Sequence, residues 1–239
     1  MKLETSEPGF GYYQSSNLQG ILMEQVDAEY ARQMHEQGLK PYSQYLEPQT
    51  KEWVIKTCTK EAYQAMILPL SDPEFMQFTI EKKGMRVKIL NKSTNMLPKK
   101  ELLEEFYSDA CSHYLNLEFL TPVSFKSNGR YQIMPEVRYL YQSLMNKYSA
   151  ASAEMDMYDE ETLEQLSGHS RIVRYRLKST FFPVEGVKIP SFKGEVSIKI
   201  DGTDTMAKYA RLLARFGEYS GVGIKTAMGM GALKIKERG

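Results

Sequence analysis

Three histidines occur in the 239 residues, His35, His113 and His169, and histidine is the side chain whose pKa suits proton transfer near neutral pH. His35 is the one placed for chemistry. It falls in the last turn of a segment whose pattern predicts a helix over 28–37, stopped by Gly38 and followed by Lys40 and Tyr42. On that helix it shares a face with Ala28 and Ala31, small residues that leave room beside it. Lys40 offers positive charge to an anionic substrate. Tyr30 is a further proton-transfer candidate, although five residues is about 140° around a helix, so Tyr30 and His35 do not share a face. Arg32 is a candidate for lowering the His35 pKa or for contacting an anion. Each has an ordinary alternative: a polar helix histidine, a solvated lysine or arginine, a tyrosine in the core. Tyr42 also reads as a buried aromatic, Trp53 as core, and His113 and His169 as polar residues at strand edges.

Two further patterns point to anion binding. After residue 170, Arg174, Arg176 and Lys178 alternate with Val173, Tyr175 and Leu177. Period two puts the three bases on one face of a strand, where like charges repel unless an anion covers them. Arg171 extends this patch; Lys126, Arg130, Lys225 and Lys234 are weaker contributors. The second pattern is GVGIKTAMGMG at 221–231, with Gly221, Gly223, Gly229 and Gly231 around Lys225 and Thr226. Glycines let a backbone approach a ligand closely, and successive N–H groups can cup a phosphate. A tight connection between a helix and a strand is the alternative.

Composition bounds the rest. The chain is 42% hydrophobic and 26% charged, which excludes wholesale disorder. Net charge is +1, yet residues 168–239 hold 14 Lys+Arg against 6 Asp+Glu, whereas 151–167 hold six acids and no base. The last third is therefore the part an anionic partner would meet. Cys58 and Cys111 form no CxxC, so no zinc ribbon and no disulfide framework is expected. HExxH, GxSxG and Walker A motifs are absent. No metal or cofactor is expected. No apolar run has signal-peptide or membrane-span length, so the expected setting is the cytoplasm, without a membrane partner.

The elements that position these residues follow from periodicity. Residues 17–26 read as a strand, 28–37 as a helix, 51–57 as a strand and 60–68 as a helix ended by Pro69. A hairpin is expected from 75–80 and 85–90. Polar residues 92–98 form the linker candidate, and 99–111 is an amphipathic helix. A strand over 113–125 follows, then a helix to about 149 with Pro135 at its first position. Strands at 170–182 and 192–200, a helix capped by Asp204 and closed by Gly217, and a strand at 232–235 complete the chain. The second half thus reads β-α-β-β-α-β, with the first half an approximate copy. The expected class is α+β, two ferredoxin-like βαββαβ units in tandem. The expected division is 1–91, a linker and helix at 92–112, and 113–239 carrying the glycine-rich loop.

The glycine-rich run, two G-hydrophobic-G pairs separated by five residues that include a base, resembles the hallmark of the CRISPR-associated endoribonucleases that process precursor CRISPR RNA, within the RAMP superfamily. HEQGLKPYS (35–43), LEFLTPVSFKS (117–127) and FKGEVSIKI (192–200) are similar to further stretches of that family, in the same order. The first 16 residues have no counterpart. The resemblance implies a tandem RRM-like fold and metal-independent cleavage of CRISPR repeat RNA. The RNA 2′-OH would attack, leaving a 2′,3′-cyclic phosphate and a 5′-OH, with His35 moving protons and Lys40 meeting charge. Subunits of a CRISPR effector complex and a second copy of the chain are further candidate partners. Two rivals share the pattern: a non-catalytic RNA-holding RAMP subunit, and a tandem ferredoxin-like module that binds a small ligand or a protein.

Overall fold

The computed structural model describes residues 1–239 except 7–9, 37, 48, 109–110, 153–155, 157, 185 and 237–239; His35 and Glu105 are described for their backbone alone. The chain opens with β1 (Lys2–Glu4) and two helices, α1 (Ser15–Glu24) and α2 (Ala28–Glu36). Then come β2 (Tyr42–Glu47), β3 (Glu52–Thr57), α3 (Lys60–Ala62), a wide turn at Tyr63–Ile67, α4 (Leu68–Leu70), β4 (Gln77–Ile80) and β5 (Met85–Asn91). The wide turn leads into Pro69, which has no N–H to give to a regular helical bond.

Residues 17–24 are thus helix, not strand, and 25–26 turn out of it. Leu18, Ile21 and Leu22 are buried at helical spacing, and the apolar run that suggested a strand is one face of α1. The strand that the fold requires is β1, three residues with one buried side chain, Leu3.

After a linker without regular structure come α5 (Lys99–Tyr107), β6 (Tyr114–Val123), β7 (Phe125–Ser127) and β8 (Arg130–Gln132). Next are α6 (Val137–Ala151), α7 (Glu160–Gly168), β9 (Ser170–Val184), β10 (Val187–Ile200), α8 (Asp204–Ser220) and β11 (Leu233–Ile235). Pro135 precedes the Glu136 cap of α6 and so lies outside the helix. Thr203, not Asp204, caps α8, its hydroxyl accepting from the Met206 N–H at 3.3 Å.

The two sheets have matching topology. The second runs β11-β6-β10-β9, which by position in its half is fourth, first, third, second. The first runs β2-β3-β1-β5-β4, the same order read from the other side, with β4 added beyond β5. Every pairing is antiparallel. This is the strand order of two ferredoxin-like units in tandem. The second core forms between Leu115, Leu117 and Phe119 of β6, Val196 and Ile198 of β10, and the stripes Leu140, Tyr141, Leu144 of α6 and Ala210, Leu213, Ala214 of α8. The first gathers Leu3, Leu18, Leu22, Leu46, Trp53, Met66 and Val87.

The units meet at the end of α8. A helix leaves its last four carbonyls without helical partners, and all four are satisfied here. Gly217 O accepts from the Gly221 N–H, Glu218 O from Lys56 of β3, Tyr219 O from Ser43 of β2, and Ser220 O from Lys147 of α6. Beyond it, the 226–228 turn packs on β2. The Gln44 amide donates to Ala227 O at 3.0 Å and to Ser15 O at 2.7 Å, while its oxygen accepts from the Trp53 indole at 2.9 Å.

Gln44→Leu keeps the volume but removes three buried hydrogen bonds, those to Ser15 O, Ala227 O and the Trp53 indole. It is expected to cost about 2–4 kcal/mol, read as a lower urea midpoint at unchanged slope. A midpoint equal to wild type would contradict this packing.

Candidate functional site

The α2 helix starts at Asp27, whose carboxylate accepts from the Glu29 and Tyr30 N–H groups at 2.9 and 3.4 Å. The His35 backbone lies in its last turn; its side chain lies outside the described atoms. Arg32 is occupied on its own helix surface, paired with Glu29 at 2.7 Å and Glu36 at 3.6 Å. Tyr30 is half-buried against the first core, and burial followed by the Glu61 charge raises its phenol pKa. Tyr42 is buried and accepts from the Gln19 amide at 3.3 Å; burial pushes its pKa up to about 12, so it stays protonated near neutral pH.

Lys40 follows α2 and leads into β2. Partial burial lowers its pKa, and the charge of Lys225 lowers it further. Residues from opposite ends of the chain thus bring two ammonium groups into each other's field, beside the end of the helix that carries His35. Two like charges held together favour an anion between them.

Lys225 is held by the glycine-rich loop, and the geometry gives the glycines a different task from cupping a phosphate. Their N–H groups are spent inside the chain: Gly221 to Gly217 O, Gly223 to Ser143 Oγ, Gly229 to Thr226 O and Gly231 to Pro122 O. The absent Cβ atoms matter for close approach to the protein itself. At Gly223, φ +75°, a Cβ would lie 2.4 Å from Ser124 O; at Gly231, φ +72°, it would lie 2.0 Å from Val222 O. The loop is a tight knot, wedged between the two sheets, with Lys225 exposed on it at φ 56°. The β7–β8 hairpin adjoins it through Ser124, whose carbonyl accepts from the Ile224 N–H at 3.0 Å. That hairpin carries Lys126, which lies over the Tyr131 ring, and exposed Arg130.

The basic strand is β9, at the edge of the second sheet. Arg174 and Arg176 line a groove of about 860 Å³ with Tyr114, Asn116, Ser197 and Lys236. Part of its charge is already met. Arg176 pairs with Glu195 at 3.0 Å, Lys236 with Glu195 and Glu118, and Arg171 with Asp201 at 2.8 Å. Among the described residues, no ion pair holds Arg174 or Lys178. Leu177 packs against the core, but Val173 and Tyr175 are exposed, because an edge strand reaches past the covering helices. Lys234 is exposed on β11, at the other edge of the same sheet.

One trio among the described residues has metal-ligand character: Cys111, His113 and Asp204, with ligand atoms within 4.8 Å of one another. His113 already satisfies both ring nitrogens, one against Ile200 O and one against the Asp204 carboxylate, each at 2.8 Å. The Asp204 bond, then that to Ile200, raises its pKa.

A family model for CRISPR-associated endoribonuclease Cas6 matches residues 117–233. The Cas6 of Streptococcus thermophilus is 35% identical over 227 residues, covering 92% of this chain and 90% of that protein. The chain belongs to the family of CRISPR-associated endoribonuclease Cas6. The Mycobacterium tuberculosis Cas6 is 34% identical over 223 residues, covering 92% of this chain and 71% of its own. Solved Cas6 structures share the fold across the whole length. A product complex superposes with a TM-score of 0.76 at 20% identity, covering 95% of this chain and 94% of the other. Thermus thermophilus Cas6 superposes with a TM-score of 0.68 at 21% identity, covering 98% and 95%.

Sequence reasoning missed the residues beneath the glycine-rich loop: Ser15, Gln44, Ser143 and Lys147. Lys147 had a legible signal. It stands seven residues after Leu140 and three after Leu144, on the buried stripe of α6, and is itself buried. Burial brings its pKa down to about 7, partly offset by the nearby Cys58.

The knot predicts that Gly231→Ala lowers Tm by about 10 °C or more, since a Cβ there meets backbone at a strained φ. A melt unchanged from wild type would show that the loop yields without cost, as a ligand cradle would.

Proposed function

We propose that this protein cuts precursor CRISPR RNA within its repeats, without a metal ion, by attack of the RNA 2′-OH on the adjacent phosphorus. The 35% identity to a Cas6 endoribonuclease over nearly the whole chain, with His35 in the last turn of α2, carries the reading. Such a cut needs little from the enzyme because the nucleophile is in the substrate. The 2′-OH loses its proton as its oxygen bonds to phosphorus. The bond to the 5′-oxygen breaks, and that oxygen takes a proton, leaving a 2′,3′-cyclic phosphate and a 5′-OH. His35 serves the proton transfers, and Lys40 and Lys225 meet the charge that builds on the phosphate oxygens. Tyr30, turned to the core with a raised pKa, is the weaker assistant.

The relatives support the reading. They are named endoribonucleases, and solved Cas6 structures include a product complex, a substrate-mimic complex and a histidine-to-alanine mutant. RNA beyond the cut would follow the open face of β9, over Arg174 and Lys178, with Arg171 and Arg176 loosened from their acids as phosphates replace them. Lys126 and Arg130 would extend the track from the hairpin beside the glycine-rich loop. We assign units at 1–91 and 113–239, joined by 92–112, and a cytoplasmic setting. No helix among the described residues is long and apolar enough to cross a membrane.

His35→Ala is expected to slow cleavage of repeat RNA on the order of 10²–10⁴-fold in EDTA while leaving affinity intact. Cleavage by that variant at the wild-type rate would remove His35 from the chemistry. Wild-type products lacking cyclic phosphate ends would remove the 2′-OH route. Arg174→Glu is expected to reduce the slope of log affinity against log salt by about one unit; an unchanged slope and affinity would return Arg174 to ordinary surface.

A further inference from the structure

Lys147 is a poor residue for the interior of a helix bundle. Its stem fits the apolar stripe of α6, but a buried amine costs more than the methyl end of a methionine. Here the amine is fully used. Its nitrogen lies 3.2 Å from Ser220 O, 3.2 Å from Gly221 O and 3.0 Å from Thr226 Oγ1. The first two acceptors end α8, where a positive group also meets the negative end of the helix dipole. The third is the residue after Lys225. Thr226 in turn packs its methyl where Cβ atoms on Gly221 and Gly231 would have stood, 2.8 and 2.9 Å away. The amine therefore ties the start of the glycine-rich loop and its Thr226 to the end of α8.

The other side of Lys147 faces the first unit. Cys58, which follows β3, is partly buried within electrostatic range of the amine, and burial pushes its thiol pKa up to about 12, so it stays neutral. The Cys58 N–H donates to Pro41 O at 2.8 Å, one residue from Lys40.

We propose that Lys147 is a positioning residue of the RNA site, which fixes the segment carrying Lys225 by anchoring Thr226 and the start of the glycine-rich loop to the end of α8. It touches no RNA itself. Its effect on cleavage rests on the function proposed above; its hold on the loop does not.

The test compares wild type with Lys147→Met, which keeps the unbranched stem, and with Thr226→Val, which keeps the shape and removes the hydroxyl. Two quantities are read: hydrogen exchange at the Met228 and Met230 amides, which both donate to Lys225 O, and the kinetics of repeat-RNA cleavage. In both variants those amides are expected to exchange roughly tenfold faster than expected from any change in global stability. kcat should fall roughly tenfold with KM changed much less, because Lys225 meets charge that builds in the transition state. The double variant should be no worse than Lys147→Met, because the two groups act through one bond. Loop exchange at the wild-type ratio to global stability, in a folded variant, overturns the proposal. If Lys147→Met does not fold, Thr226→Val decides in the same way. Faster loop exchange in a protein whose wild type leaves repeat RNA uncut upholds the anchor and refutes the function.

Discussion

The carbonyl end of α8 is the constraint around which the molecule is arranged. Four bare carbonyls cannot be buried without donors, and burying them at the junction of two sheets forces each unit to supply some. Ser43 and Lys56 come from the first sheet, Lys147 from the second unit, and the chain itself closes the remaining one through Gly221. A chain leaving that point has little room, so it must turn at once, at Gly221, φ +67°. The glycine-rich loop follows as a consequence. Its knot fits between the sheets, Gln44 and Ser15 grip its far side, and Lys225 is its exposed product.

This arrangement shows how two similar units would make one site. Each strand order is that of a ferredoxin-like fold, and neither unit alone brings two lysines together. Lys40 belongs to the first unit and Lys225 to the last connection of the second, and the loop packed between the units brings the Lys225 charge within range of Lys40. The long β9–β10 hairpin adds a basic edge that two carboxylates, Glu195 and Asp201, hold partly neutral. Those acids are easily displaced from exposed arginines, since surface ion pairs contribute little.

Much of this was legible in the sequence. Period-two alternation located β9 and β10, and the Asp27 cap with Gly38 located α2, because those signals are local and strong. The β1 strand was not legible: three residues with one apolar side chain carry no pattern, and their pairing with β5 is decided by partners more than eighty residues away. The 17–26 segment misled because an apolar run reads as a strand until the spacing of Leu18, Ile21 and Leu22 is weighed. The spacing of the glycines marked the loop, but not what fills the space their missing side chains leave, since Ser124, Val222 and Ser15 are contacts of tertiary structure. Lys147 carried a signal, a base on an apolar stripe, whose meaning depended on carbonyls that no local pattern reveals.

In the proposed reaction the phosphate sits between the Lys40 and Lys225 side chains at the end of α2. A structure of this protein bound to repeat RNA with a single 2′-deoxy substitution at the cut site, which removes the nucleophile and halts cleavage, tests it directly. The account predicts the scissile phosphate within hydrogen-bonding distance of both amines, with the His35 ring against the 2′-carbon or the 5′-oxygen. RNA that crosses the protein with its scissile phosphate away from both lysines would contradict it.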